Sequence, residues 1–425
     1  MTPGIRQVQI QNFKSIERAV VDLTPLTVLV GPNGAGKSNF VEALVFLQQL
    51  VSSGLEQALR SRPILLPEWV DGSGKEGRLL GVRVDLDLRD GLRADYAVEI
   101  RTEHGSPATV SRERCRVVSA AKPEAVFEVL QGHFVHEIAG IRSQLVPDRL
   151  ALFAASATVE FRPVYDFLSS IRAYSILPKV VTGLPGNTDS GMSLEREGRN
   201  APSVLKAIIE KSPEDHARIG RLLGRAVEGI TSVEIQESDD KLLRLWFKKD
   251  VGVDRPGAFS GSSMSDGTLR LLGLLLAIYQ PSRPSVLVIE EPEATVHPAV
   301  AQLITEILLD AAHDRQVLVT THSPDILDAK ELADDQIRVV TQRHGRTIVA
   351  PLAQASRQAI RDRLYTPGEL LRINELDDDA DQAVAAAEGL DLFPSLPDHC
   401  GGGAVSAPMP PTRQIPRGFA ARRRG

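Results

Sequence analysis

Apolar positions follow several different spacings along this chain. Ile5, Val8 and Ile10 lie in an extended segment that ends at Asn12-Phe13-Lys14-Ser15. Leu26-Thr27-Val28-Leu29-Val30 is a nearly unbroken apolar run stopped by Gly31, the pattern of a strand buried on both faces. From Lys37 to about Leu50 the spacing turns helical, with Phe40, Val41, Leu44 and Leu47 on one stripe. Residues 78–118 alternate instead. Leu80, Val82, Val84, Leu86 and Leu88 recur at every second position, with Arg83, Asp85 and Asp87 between them, and Tyr96–Ile100 and Arg112–Val118 look similar. Antiparallel, half-exposed sheet is predicted there. Residues 140–180 and 200–230 read as mostly helical, broken at Pro147, Pro163, Pro178 and Pro202.

The second half alternates strand and helix, which predicts a parallel sheet. Thr268–Tyr279 reads as an apolar helix, Ser285–Glu290 as a buried strand, Ala299–Ala311 as an amphipathic helix and Gln316–Thr320 as another buried strand. Ile337–Val340 and Thr347–Ala350 suggest a closing hairpin. No heptad pattern lasts three repeats, so no long coiled coil is expected. After about Leu376 the composition shifts to clustered Asp, then Gly, Pro and a terminal Arg422-Arg423-Arg424; residues 383–425 are predicted to be largely disordered.

Composition narrows the classes. The chain has 425 residues, 42% hydrophobic and 24% charged, which fits a soluble globular protein of roughly two to three domains. Its longest apolar run, Leu271–Ile278, is interrupted at Gly273 and falls far short of the ~20 residues that span a bilayer. No signal peptide is read at the N-terminus. Forty-nine Lys+Arg against 55 Asp+Glu give −6, which argues against coating nucleic acid by bulk charge but not against a local basic patch. Cys115 and Cys400 form no metal-binding spacing, so a reduced, cytoplasmic setting is expected. Aromatics at 4% argue against a stacking platform for single strands.

Four motifs carry the chemistry. Gly31-Pro32-Asn33-Gly34-Ala35-Gly36-Lys37-Ser38 fits G-x-x-x-x-G-K-[ST] and lies between the expected strand and helix. Glycines let backbone N–H groups curl round a phosphate, and the helix N-terminus adds its positive dipole end. Lys37 can reach the β- and γ-phosphates and Ser38 can ligate Mg2+. Val286–Glu293 is an apolar strand delivering Glu290 and Glu291 to its C-terminal end, the edge at which parallel sheets bind ligands. One acid can hold Mg2+ through water; the next can orient and deprotonate an attacking water. Standing alone, it would also fit a solvated acidic turn. His322, in Thr320-Thr321-His322-Ser323-Pro324, ends another buried strand and can hydrogen-bond a γ-phosphate. Met264–Arg270 reads locally as a Ser-Asp-Gly turn and helix cap.

In that order, P-loop, Ser-x-Gly, acidic strand end and His resemble the ATP-binding-cassette ATPases. Within them the chain looks like the ABC-type AAA-family ATPases of the RecF/SMC/OLD group, the single-chain kind without a Toprim domain. Ile10–Ser15, Gly31–Phe40, Ser265–Arg270, Glu290–Pro298, Thr320–Leu327 and Gly368-Glu369-Leu370-Leu371 carry the resemblance, which covers roughly residues 5–375. It implies an α/β P-loop NTPase head with a mixed sheet, divided by an inserted α+β lobe. The expected halves are 1–60 and 259–376, the lobe 61–258 (antiparallel strands, then helices), and the low-complexity tail 377–425.

It also implies a homodimer that sandwiches two ATP–Mg2+. Lys37, Glu291 and His322 would be catalytic. Asn33, Gly34, Ala35, Gly36, Lys37, Ser38 and Asn39 would bind nucleotide, joined by Ser265 and Gly267 of the opposite copy. Ser38 and Glu290 would hold Mg2+, and Pro292–Pro298, with His297, would lie across the interface. Glu290 replaces the family's usual Asp, so slow turnover is expected. The Mg2+-ligating Gln is unplaced among Gln48, Gln49 and Gln57. About 225 residues separate Ser38 from Ser265, too many for a transporter's ATPase subunit, which is the alternative; two intact acids argue against a non-hydrolysing scaffold. An intrinsic nuclease is not expected from Asp377 and Asp379. The implied roles are DNA repair or anti-phage defence, with DNA or an effector such as a nuclease as partner and no membrane. Arg112, Arg114 and Arg116 share one strand face that could track a phosphate backbone, although a solvated sheet face is the simpler reading.

Overall fold

The computed structural model describes residues 2–60, 78–102, 107–120, 123–136, 149–182, 192–239, 242–250, 257–329 and 331–396. It opens with the hairpin β1 (Gly4–Phe13) and β2 (Ile16–Asp22), then β3 (Leu26–Val30), α1 (Lys37–Ser53) and α2 (Leu55–Arg60). Antiparallel strands follow: β4 (Arg78–Asp87), β5 (Arg93–Thr102), β6 (Thr109–Val118), β7 (Ala125–Leu130) and β8 (His133–His136). After α3 (Ala151–Ala155) and α4 (Arg162–Ser169) come β9 (Arg172–Tyr174), α5 (Pro178–Val181), α6 (Ala201–Lys211) and α7 (Pro213–Ala226). The strands β10 (Ile230–Glu237), β11 (Leu243–Lys249) and β12 (Gly257–Ser260) lead to α8 (Asp266–Tyr279), β13 (Val286–Glu290), α9 (Pro298–Ala311), β14 (Gln316–Thr321) and α10 (Pro324–Leu327). The last described elements are β15 (Ile337–Arg343), β16 (Arg346–Pro351), α11 (Gln354–Arg361), α12 (Pro367–Arg372) and α13 (Ala380–Glu388).

The described strands form three sheets. The central one has the order β16-β15-β3-β14-β13-β9 and is parallel except for β16, which makes it mixed. Its strands are apolar on both faces because both faces are covered. Leu29, Val286, Val288 and Leu318 face one core with α1 and the antiparallel sheet; Val28, Val30, Leu287, Ile289, Val317 and Val319 face a second with α6, α8 and α9. The second sheet, β2-β1-β4-β5-β6-β7-β8, is antiparallel throughout, and β10-β11-β12 form a small third. No described helix is long and apolar enough to cross a membrane.

Three features depart from the sequence reading. Strand β1 pairs with β4, Ile10 opposite Val82, so the N-terminal hairpin and the expected lobe share one sheet. Strand β9, expected within a helical stretch, joins the central sheet beside β13, and β10–β12 add strands after the helices. The third departure is at the C-terminus. By contacts the chain divides into Met1–Phe393 and Pro394–Gly425, and the first unit runs well into the expected tail. Helix α13 is held by Asp379, whose side chain caps it by accepting from Gln382 N at 3.1 Å, and Leu390 and Leu392 are buried beyond it. The terminal arginines and Cys400 lie outside the described residues.

The arginine face must also be corrected. Arg112, Arg114 and Arg116 do share one face of β6, but carboxylates on β5, on β7 and just before β7 meet them there. Arg112 is paired with Glu128 at 2.5 Å, Arg116 with Glu124, and Arg114, 2% exposed, sits 4.0 Å from Asp95. Arg83 pairs with Asp85 at 3.0 Å in the same layer. The C-terminal segment lies on this face as well. Leu392 occupies the space a side chain at Gly81 would need, and Phe393 lies 4.3 Å from the Arg112 guanidinium, a cation–π distance. Charges neutralised and covered in this way are poor phosphate contacts.

Candidate nucleotide site

β3 ends at Val30 in the middle of the central sheet, with β14 beside it and β13 one strand further. Their C-terminal ends are level: Val30 pairs with Thr321, and Glu290 with Thr320. The P-loop, His322 and the acidic pair therefore emerge at one sheet edge, within about two strand spacings of 4.8 Å.

The P-loop is braced from behind. Asn39 Nδ2 donates to Ser15 Oγ at 2.6 Å, Ser15 Oγ lies 2.7 Å from Thr347 Oγ1, and Thr347 Oγ1 donates to Ala35 O at 2.9 Å. Gly36, at φ 105, is the N-cap of α1; a Cβ there would fall 1.9 Å from Thr347 Oγ1, so only glycine fits. Asn33, Gly34 and Ser38 are exposed, whereas the Ala35 methyl is buried. Of the expected nucleotide ligands, Asn39 has its amide committed to Ser15. Lys37 is 5% exposed, and its ammonium donates to Gly31 O at 2.7 Å and Pro32 O at 3.1 Å. Burial lowers its pKa, while Glu291 and then Glu293 pull it back up.

The acidic end of β13 is strained. Glu291 has φ 43 and Thr295 φ 67, conformations costly for residues other than glycine, above all a β-branched one. Glu291 N donates to Thr320 O at 2.9 Å, which fixes the turn. His322 Nδ1 lies 3.5 Å from Glu291 and 4.0 Å from Glu293. Glu293 was not singled out in the sequence. It is 8% exposed, accepts from Thr321 Oγ1 at 2.6 Å, and its Oε2 has no hydrogen-bond partner among the described residues; burial raises its pKa despite the Thr321 bond. Arg270 reaches the same turn and donates to Glu291 O at 3.3 Å.

Ser265 and Gly267 open α8. Ser265 is exposed, and its Oγ caps the helix by accepting from Thr268 N at 3.2 Å. With Thr295, Val296 and His297 they line a cleft of about 310 Å³ that no P-loop residue enters. His297 is exposed and caps α9, accepting from Ala299 N at 3.2 Å.

Comparison with known proteins bears on the family. Residues 171–328 match a family model described as "AAA domain, putative AbiEii toxin, Type IV TA system", and residues 4–70 one described as "AAA ATPase domain". The DNA replication and repair protein RecF of Corynebacterium jeikeium is 26% identical over 312 residues, covering 70% of this chain and 68% of that protein. The OLD nuclease of Thermus scotoductus is 22% identical over 380 residues, covering 84% and 66%. The chain is a RecF/SMC/OLD-type ATPase. The chromosome partition protein Smc of a Synechocystis strain is 32% identical over 114 residues, 26% of this ATPase and 9% of that protein. This ATPase thus matches about two thirds of the length of the first two relatives and a small part of the third. Among solved structures, an Smc head domain bound to the C-terminal domain of ScpA from Pyrococcus furiosus aligns with a TM-score of 0.49 at 14% identity, over 85% of this ATPase and 99% of that chain.

The metal ligands can be tested against this geometry. Mg2+ takes hard oxygen donors, only one or two of them from protein in phosphate sites. The exposed Ser38 hydroxyl and the Glu290 carboxylate suit it, and among the described residues no cluster of three or more His, Cys, Asp or Glu offers a full protein cage. The three Gln candidates do not suit it. Gln48 is ten residues beyond Ser38 on α1, about 15 Å along the axis, and donates to Ser52 Oγ and Ser169 O. Gln49 follows it, and Gln57 lies further off on α2.

Proposed function

We propose that this ATPase is a molecular switch in which two copies close head to head around two ATP–Mg2+ and part after hydrolysis. Lys37 and the loop amides of residues 33–38 grip the β- and γ-phosphates. Ser38 and Glu290 hold Mg2+, which would neutralise charge on the phosphate oxygens. Glu291 orients and deprotonates the attacking water, and His322 hydrogen-bonds the γ-phosphate. Glu290 carries one methylene more than the usual Asp, in keeping with slow turnover.

The observation that carries this reading is the meeting of Lys37, Glu291 and His322 at level strand ends, with His322 3.5 Å from Glu291. Support for the closed pair comes from Ser265 and His297, which face solvent around a cleft that their own P-loop does not line. The signature therefore has donors to offer a neighbour, and a neighbour would exclude water from the triphosphate. The antiparallel sheet formed by β1, β2 and β4–β8 is unlike the short helical insert of a transporter subunit. We place the switch in the cytoplasm, in DNA repair or anti-phage defence, acting on DNA or an effector such as a nuclease. DNA contacts, where made, lie outside the Arg112–Arg116 face. We keep residues 61–258 as the functional insert and 1–60 with 259–376 as the head, although strand pairing runs across both borders.

Glu291→Gln tests the proposal. With ATP and Mg2+ it should accumulate as an ATP-bound dimer in size exclusion with light scattering, with hydrolysis down at least ~100-fold. A species that stays monomeric under those conditions refutes the closed pair.

A further inference from the structure

Arg196 belongs to none of the motifs, yet it holds the acid assigned to Mg2+. It lies between α5 and α6, and its guanidinium spans two carboxylates. Nη1 donates to Glu42 Oε1 at 2.5 Å and Nη2 to Glu290 Oε1 at 2.7 Å. Both acids are largely shielded, with side-chain exposures of 14% and 10%. Glu42 follows Ser38 by four residues on α1, so the two share one helix face. The guanidinium is thus wedged between the helix that starts at the P-loop and the strand that ends at Glu290.

The backbone around Arg196 is fixed at both sides. Ser175 N donates to Arg196 O at 2.9 Å, and Leu177 N to Glu197 O at 3.1 Å, which extends the line of β9. Two residues earlier, Leu194 N donates to Gln280 Oε1 at 2.7 Å. Gln280 is fully buried, directly follows α8, and donates to the Tyr174 hydroxyl at 2.7 Å. One loop therefore touches the Mg2+ acid on one side and the far end of the signature helix on the other.

Glu42, Glu290 and Arg196 sum to −1. A divalent cation on Glu290 would bring two positive charges against the guanidinium, and like charges at that range repel, the repulsion being softened by solvent because Arg196 is 41% exposed. We propose that Arg196 competes with Mg2+ for Glu290, swings on its Glu42 anchor when the metal–nucleotide binds, and so transmits occupancy to the loop 193–198 and α8. It is a positioning residue acting through Glu290, and the proposal rests on the assignment of Glu290 to Mg2+.

The test is a Mg2+ titration of the intact protein in the presence of a fluorescent ATP analogue, read as the Mg2+ concentration at half-saturation. Arg196→Gln should lower that midpoint about fivefold, the scale of a partly exposed ion pair. Arg196→Lys, which keeps the charge but cannot fork across two acids, should fall between. Glu42→Gln removes the second anchor and should raise it. An unchanged or raised midpoint in Arg196→Gln overturns the proposal, provided its thermal unfolding shows a folded protein; if it does not fold, the Arg196→Lys and Glu42→Gln midpoints decide. Hydrogen exchange of residues 193–198 should respond to Mg2+–nucleotide in the parent and not in Arg196→Gln; no response in the parent overturns the transmission. A parent that binds the analogue with no effect of Mg2+ defeats the Glu290 assignment itself and this proposal with it, a result distinct from unaltered variants of a Mg2+-dependent parent.

Discussion

Thr347 Oγ1 donates to the carbonyl oxygen of Ala35 at 2.9 Å, which ties the β15–β16 hairpin to the inner side of the P-loop. The same hydroxyl meets Ser15, so two hairpins distant in sequence set the shape of the phosphate cradle. Thr347→Val keeps the volume but takes this donor from the Ala35 oxygen and one of two partners from the Ser15 hydroxyl, which still accepts from Asn39, a loss of about 1–3 kcal/mol. ATP affinity measured by calorimetry should fall roughly tenfold, and Thr347→Ser should retain most of it.

Lys37 pits stability against binding. Its folded pKa is lowered by burial, opposed by Glu291 and Glu293. Between that lowered value and the ordinary one the unfolded chain binds more protons, so the stability linked to this group rises with pH there, and at neutral pH the buried charge is a cost. Lys37→Met should therefore melt at a higher temperature than the parent without nucleotide. It should also lose ATP binding and show no ATP-induced shift in thermal unfolding; unchanged ATP affinity would refute the P-loop assignment.

Ser265 separates capping from partner contact. Asp is as good an N-cap as Ser, so Ser265→Asp should keep the melting temperature within a degree or two. It also places a carboxylate where a partner's γ-phosphate is proposed to sit. In the Glu291→Gln background it should abolish the ATP-dependent dimer in light scattering while leaving nucleotide binding by the monomer in place.

Glu113 gives the fold an unusual pH response. It is 1% exposed and accepts from Ala151 N, Leu152 N and the Tyr96 hydroxyl, yet burial, the largest influence, raises its pKa to about 7. From about 4.5 to 7 the folded protein keeps a proton that the unfolded chain has lost. The stability linked to this group is therefore full below pH 4.5, declines as pH rises to 7 and is level above, opposite to ordinary acid denaturation. The unfolding free energy of the parent minus that of Glu113→Gln should fall by up to about 1.4 kcal/mol per pH unit in that window.

Which parts were readable in the sequence follows from what each signal encodes. β3, β13 and β14 are nearly unbroken apolar runs closed by Gly31, Glu290 and Thr320, the pattern that burial on both faces produces. Strand β9 has three residues, too few for any period. The pairing of β1 with β4 was out of reach because alternation fixes which face a residue occupies and not which strand lies beside it. The arginines of β6 show the same limit: their shared face was readable, the acids opposite them were not. Thr347 and Arg196 serve the nucleotide site from positions remote in sequence, as single polar residues without a motif, and Ser15 stood in a recognised stretch whose spacing did not tell of its bond to Asn39. Helix α13 was missed because its alanines give little hydrophobic contrast, and its anchors, Leu390 and Leu392, come after its end.

Those last leucines have a practical side. Leu392 plugs the gap above Gly81 and Phe393 roofs Arg112. A protein trimmed at Gly389 to shed the Gly- and Pro-rich end would lose both, baring an apolar slot beside guanidinium groups. Such a shortened form should be stickier in solution than its parent, so the cut belongs after Phe393.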